Sequence, residues 1–182
     1  MGVVRIGMMF KLEGERVVVR PFRDDELELW IAGQNQLAGE ALPGGPPDRE
    51  RLRRRIEESG AFRNGEIDMG IQAEGRLIGY IQTYRPQARV LPPHVYEMGV
   101  ALWGRGDRGK GYGTEAVQVF VNWLFEQGAH QVQGGAAVTN HVMGRVFEKL
   151  GFKALGRLDV EGVEEILYGV TAAEWAKRFS KS

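Results

Sequence analysis

Between a strand-like run, Val95 to Trp103, and an amphipathic helical run, Tyr112 to Gln127, the chain places glycines at 104, 106, 109, 111 and 113. No other stretch so narrows what the chain can become. Glycines let a backbone curl with successive N–H groups facing one point, which makes an anion cradle. The helix that follows brings its own unpaired N–H groups and the positive end of its dipole to the same place. A strand, an anion-binding turn and a helix in that order imply a sheet with helices packed on its faces.

The rest of the chain supplies that sheet. Arg16 to Phe22 is rich in β-branched residues and ends at Pro21, which reads as a first strand. Asp24 or Asp25 can N-cap a helix carrying Leu27, Trp30, Ile31 and Gln34, and a turn-rich stretch from Gly39 to Pro47 separates it from a second helix opening at Asp48. Two strand-like runs, Ile67 to Ala73 and Arg76 to Tyr84, flank Glu74-Gly75, a hairpin turn. Beyond the glycine-rich turn, the spacing predicts a strand over Gln131 to Val138 and a helix with Asn140 as N-cap and Gly151 after its end. Strands over Leu155 to Leu158 and Glu164 to Val170 follow, then a closing helix over Ala172 to Phe179.

At 182 residues the chain suits one core, so residues 10–182 read as a single domain and residues 1–9 as a loosely held leader. Lys plus Arg and Asp plus Glu both number 24, which removes the net field expected of a nucleic-acid or membrane binder. Cys is absent, excluding disulfides and thiolate metal sites, and His94, His130 and His141 lack close ligand spacing, so no metal is expected. No run approaches the roughly 20 apolar residues that span a bilayer, and the expected setting is the cytoplasm.

Two nucleotide readings of the turn fail on chemistry. Gly104 to Lys110 fits GxxxxGK, but Gly111 follows where a Ser or Thr hydroxyl must meet magnesium. Gly104, Gly106 and Gly109 satisfy GxGxxG, yet the acidic residue about 20 positions on, Glu126, lies inside a helix. The third reading takes Arg108 to Gly113 as R-x-x-G-x-G. Here the chain resembles the GNAT superfamily of acyl-CoA-dependent N-acyltransferases. EMGVAL at 97–102, GYGTEA at 111–116, NHVMGRVFEKLGF at 140–152 and the opening FKLEGERVVVRPF together resemble its RimJ/RimL branch.

The resemblance implies an α/β fold with a mixed, mostly antiparallel sheet of six to seven strands, flanked by helices and splayed at a central strand pair. It implies acetyl-CoA as the acyl donor, with Val100, Ala101 and Leu102 offering backbone groups to the pantetheine arm. Gly109, Lys110, Gly111, Tyr112, Gly113 and Thr114 would take the diphosphate, with Arg108 and Lys110 as charge partners. Asn140 would add a coenzyme contact to its capping role, and Phe147 would pack near the arm, although a helical core position is its default. The partner is an amine acceptor, either a protein N-terminal α-amine or a small-molecule amine, and related enzymes often form homodimers.

An alkylamine, whose ammonium has a pKa of about 10.4, attacks a thioester only after losing a proton. Glu97 is the candidate base, since it precedes Arg108 by eleven residues, a spacing at which some family members place one; the competing reading is a glutamate in a structural hydrogen bond. The departing thiolate usually takes a proton from a Tyr where this chain has Phe147, or from a Ser where it has Met143. Tyr112, Tyr84 or solvent would then serve, or the thiolate leaves unaided. A non-catalytic acyl-CoA sensor or scaffold is the alternative function.

Overall fold

The computed structural model describes residues 10–38, 47–87 and 89–179. The expected leader, residues 1–9, and the turn-rich stretch over 39–46 lie outside them. Eight strands share one sheet: β1 (Leu12–Glu13), β2 (Val17–Arg20), β3 (Ile67–Ala73), β4 (Arg76–Tyr84), β5 (Val95–Leu102), β6 (Gln131–Ala137), β7 (Lys153–Val160) and β8 (Val163–Thr171). Their order is β1-β2-β3-β4-β5-β6-β8-β7, and every neighbouring pair is antiparallel except β5 and β6. The mixed, mostly antiparallel sheet is the one the sequence implies. It has one strand more than expected, because the two residues of β1 pair with Val18 and Val19.

Five helices cover the sheet: α1 (Leu27–Ala38), α2 (Arg49–Glu58), α3 (Tyr112–Glu126), α4 (His141–Lys149) and α5 (Ala172–Phe179). Side chains alternate across a strand, so the sheet buries two apolar layers. One layer joins Val19, Ile71, Ile81, Met98 and Val132 to Val117, Phe120 and Leu124 of α3, with Phe147 of α4 and Trp175 of α5. The other packs Leu27, Trp30 and Leu37 of α1 and Leu52 and Ile56 of α2 against Phe22, Leu77 and Trp103. Trp30 is fully buried and stacks on Phe22 at 4.1 Å, while the Arg55 guanidinium lies 4.7 Å from the Trp30 ring and donates to Asp68 of β3 (Nε to Oδ2, 3.0 Å). That ion pair pins α2 to the sheet.

Two local expectations resolve differently. Asp48 caps α2, accepting from the Arg51 N–H at 3.1 Å, as read from sequence. Arg23, rather than Asp24 or Asp25, holds the N-cap position ahead of the helical stretch. A 3-10 turn over Asp24–Glu26 leads into that helix, and Glu26 reaches back to accept from the Arg23 N–H (2.8 Å) and from Arg20 (2.6 and 2.9 Å). Among three consecutive acids only Glu26 is long enough to return to Arg20 and be buried with it. Among the described residues no helix is long and apolar enough to cross a membrane.

Candidate active site

β5 and β6 are paired only at Val95–Gln131, Tyr96–Val132 and Glu97–Gln133. Beyond that, Met98 to Leu102 pair with β4 alone and Gly134 to Ala137 with β8 alone. The two central strands therefore diverge into a fork with its vertex at Glu97 and Gln133. Two consecutive glycines sit just past the vertex, where a glycine inside a strand marks a close approach. A Cβ on Gly134 would lie 2.7 Å from Phe147 Cζ and 3.1 Å from the Met98 carbonyl oxygen. A Cβ on Gly135 would lie 2.3 Å from Glu165 Oε2. The pair thus admits Phe147 on one face and the Glu165 carboxylate on the other.

Glu97 is 4% exposed, and both its oxygens are occupied. Oε1 accepts from the Tyr84 hydroxyl at 3.0 Å; Oε2 accepts from Gln133 Nε2 at 2.9 Å and forms an ion pair with the Arg89 guanidinium. Burial, and then the neighbouring Glu97 charge, push the Tyr84 phenol well above its ordinary range. Three donors, one of them charged, therefore occupy this carboxylate. These contacts favour the structural-hydrogen-bond reading of Glu97 over the base reading, and they tie β4, β5, β6 and the loop after β4 together.

Glu165, on β8, is half-buried, and among the described residues it has no hydrogen-bond partner. Burial raises its pKa, the Glu97 charge adds to that, and Arg89 opposes it. Sequence reading did not single out Glu165, Arg89 or Gln133. The one available signal was the Gly134-Gly135 pair inside a strand.

At the open end of the fork, Gly109 and Gly111 adopt left-handed backbone conformations (φ 75° and 85°) and α3 begins at Tyr112. The first helical N–H with a main-chain acceptor is that of Glu115, bonded to Gly111 O at 3.0 Å. Among the described residues no main-chain N–H from Gly109 to Thr114 has a main-chain acceptor outside regular structure, so the turn gathers unsatisfied donors as its glycines imply. Arg16 braces it from behind, donating to the Lys110 carbonyl (2.7 Å) and to Glu115 (3.0 Å). The β3–β4 hairpin braces it from the side: the Tyr112 hydroxyl donates to Glu74 at 2.6 Å, and Arg76 pairs with the buried Asp107. Those Arg76 hydrogen bonds hold Asp107 below its usual range, and the Tyr112 hydrogen bond does the same for Glu74.

Arg108 donates to the carbonyls of Leu102 (3.1 and 3.3 Å) and Trp103 (3.3 Å), which fastens the turn to the end of β5. The Lys110 ammonium is nearly half-exposed and lies 4.0 Å from Glu74. Tyr112 opens α3 at the mouth of the fork, with its hydroxyl donating to Glu74. Val100, Ala101 and Leu102 are partly exposed along the unpaired edge of β5, and Gly113 and Thr114 line the first turn of α3. Asn140 caps α4, accepting from the Met143 N–H at 3.2 Å. Phe147 is 1% exposed and packed between Phe152 and Tyr168, with ring centroids 5.0 and 5.2 Å away. It floors the fork as core and does not line it. No group of three or more His, Cys, Asp or Glu suited to a metal ion occurs among the described residues.

A mixed sheet with helices on both faces and a forked central strand pair define the fold as α/β, with an open strand edge running from the fork's vertex to the glycine-rich turn. The family model for the acetyltransferase (GNAT) domain matches residues 16–153, and the chain belongs to that family. Among curated proteins none matches it. Among solved structures it is similar to a GNAT-family acetyltransferase from Bacillus anthracis (22% identity, 91% of this chain and 100% of that one, TM-score 0.74). It is also similar to the aminoglycoside acetyltransferase AAC(6')-Ib bound to ribostamycin and coenzyme A (20%, 92% and 100%, TM-score 0.78). A third is the ribosomal-protein-S5-alanine acetyltransferase from Vibrio fischeri (20%, 91% and 98%, TM-score 0.72). At these identities the likeness is one of fold.

Proposed function

We propose that this protein transfers an acetyl group from acetyl-CoA to an amine, a protein N-terminal α-amine or a small-molecule amine, by direct attack on the thioester. The observation that carries the proposal is the run of main-chain N–H groups from Gly109 to Thr114, without main-chain partners among the described residues, at the mouth of a fork whose β5 edge is open. A diphosphate on those amides neutralises the helix end, and an arm extending from it along Val100 to Leu102 reaches the vertex, where an acyl group meets the α1–α2 face. Membership of the GNAT family supports the chemistry. The similar structures that hold coenzyme A or acetyl-CoA support the donor. The aminoglycoside and ribosomal-protein acetyltransferases support an amine acceptor of either kind, and the second supports a place near the RimJ/RimL branch. Acetyl-CoA as donor fits a cytoplasmic setting.

The acyl carbon accepts the amine lone pair, the C–N bond forms, and the C–S bond breaks with its electrons on sulfur. Phe147 and Met143 supply no proton to that sulfur, and this favours a second reading, a non-catalytic acyl-CoA sensor. Calorimetric titration with acetyl-CoA, followed by thiol release in the presence of spermidine, ribostamycin and an alanine-initiated peptide, separates the two. Binding with turnover supports the transferase, binding without turnover supports the sensor, and no binding at saturating acetyl-CoA removes both.

A further inference from the structure

Resting on the transferase reading, we propose that Glu165, and not Glu97, takes the proton from the attacking amine. The geometry favours it on three counts. First, its carboxylate lies over Gly135, just past the vertex and on the face opposite Phe147, because Gly135 pairs with Leu167 and so shares its face with Glu165 and Ala137. Glu97 presents its side chain on that same face, opposite the core side taken by Met98. Second, a glycine at 135 is what permits this position, since any Cβ would meet Oε2 at 2.3 Å. Third, Glu165 is half-buried yet has no hydrogen-bond donor among the described residues, whereas Glu97 has three. An unsatisfied, partly buried carboxylate is costly unless something arrives to pair with it, and an ammonium or amine is such a group.

The charged groups around Glu165 set its titration. Burial and then Glu97 on β5 raise its pKa, Arg89 on the loop after β4 lowers it, and the Tyr84 phenol also feels the Glu165 charge. Glu164 and Arg157 pair with each other along the β7–β8 hairpin at 2.7 Å. The net effect is a base whose pKa stands nearer neutrality than an ordinary carboxylate, where proton transfer from an amine is most effective. An ammonium acceptor first releases one proton to solvent; the neutral amine nitrogen then loses a second proton to the Glu165 oxygen as the C–N bond forms, sulfur leaves with the C–S electrons and takes a proton from water, and Glu165 returns its proton to solvent.

The test is the pH dependence of kcat for wild type and Glu165→Gln, with spermidine, ribostamycin and an alanine-initiated peptide as acceptors. Deleting a general base costs on the order of 100-fold or more in kcat. We expect that loss in Glu165→Gln, an unchanged calorimetric affinity for acetyl-CoA, and disappearance of the acid limb that wild type shows as Glu165 protonates. Gly135→Ala, which crowds the carboxylate without deleting it, should lower kcat while keeping the limb. A Glu165→Gln variant with wild-type kcat, or with reduced kcat but an intact acid limb, overturns the assignment. Failure of the transferase reading shows instead in wild type, as acetyl-CoA binding without thiol release from any of the three acceptors.

Discussion

If Glu97 is a structural tie, Arg89→Met should destabilise the fold before it alters chemistry, and the size of the effect can be worked out. Removing one partner from a buried ion pair costs about 3–5 kcal/mol, because the survivor is left charged and unpaired. Arg89 has 26% side-chain exposure against 5% for Glu97, so water reaches the Arg89 side of the pair and the lower end, about 3 kcal/mol, applies. Against this stands Arg89 Nε, buried without a partner among the described residues. Its removal returns about 1 kcal/mol. The stem of Met keeps most of the apolar contact. The balance is a loss of about 2 kcal/mol, which for a chain of this length lowers Tm by about 4–8 °C.

The assay is a double-mutant cycle in urea or by thermal unfolding, with Arg89→Met, Glu97→Gln and the two combined. Tyr84 and Gln133 remain as donors in every variant, so Glu97→Gln in the Arg89→Met background removes the stranded charge and should recover most of the lost stability. Strict additivity, or an Arg89→Met effect below about 0.5 kcal/mol, the level of an ordinary surface substitution, would refute the claim that this pair holds the fork closed at its vertex.

Three further outcomes follow from the geometry. Gly111→Ala forces a Cβ into a left-handed position (φ 85°) 2.9 Å from Arg16 Nη2, a conformational cost of about 1–2 kcal/mol that should weaken acetyl-CoA binding about tenfold in calorimetry; unchanged affinity would count against the diphosphate site. Phe147→Tyr places a hydroxyl where the ring edge already meets Gly134 and so should destabilise by about 1–3 kcal/mol from overpacking, with no gain in kcat; a stable, faster variant would show room at the fork floor. For Glu26, burial works to raise the pKa, but the hydrogen bonds from Arg20 and the Arg23 N–H and the charges of both lower it on balance from 4.5. Its stabilising contribution is therefore full above pH 4.5 and lost as pH falls through the depressed folded value, so Glu26→Gln should be less stable than wild type at neutral pH, and the gap should close in acid unfolding curves.

The parts of the site legible in sequence are those that are local. The amide-lined turn can be read from residues 104–113 because glycine spacing, strand and helix lie within one continuous stretch, and Asp48 and Asn140 read as caps because each acts on an N–H three residues away. The fork was available only through resemblance, since its cause is the meeting of Met98, Gly134 and Phe147 from three elements. Arg89, Gln133 and Glu165 were missed for the same reason. Nothing near Glu165 in the chain distinguishes it from Glu164, which faces Arg157 across the hairpin. Only the pairing of β8 with β6 puts one of these glutamates over Gly135.

The missing hydroxyl at 147 is less damaging to the transferase reading than it first looks, because the two proton transfers are unequally demanding. An alkylammonium of pKa about 10.4 stands more than three units above neutrality, so supplying the free amine costs about 4–5 kcal/mol at pH 7. A thiol of pKa about 8.5 stands only about 1.5 units above it, so letting sulfur depart as thiolate forfeits about 2 kcal/mol. For an alkylamine acceptor, though not for an N-terminal α-amine of pKa about 7.7–8.0, a base on the amine side therefore offsets more than an acid on the sulfur side. That asymmetry matches what surrounds the vertex: an apolar ring, Phe147, on the core face, and Glu165, a carboxylate without a hydrogen-bond donor among the described residues, on the other.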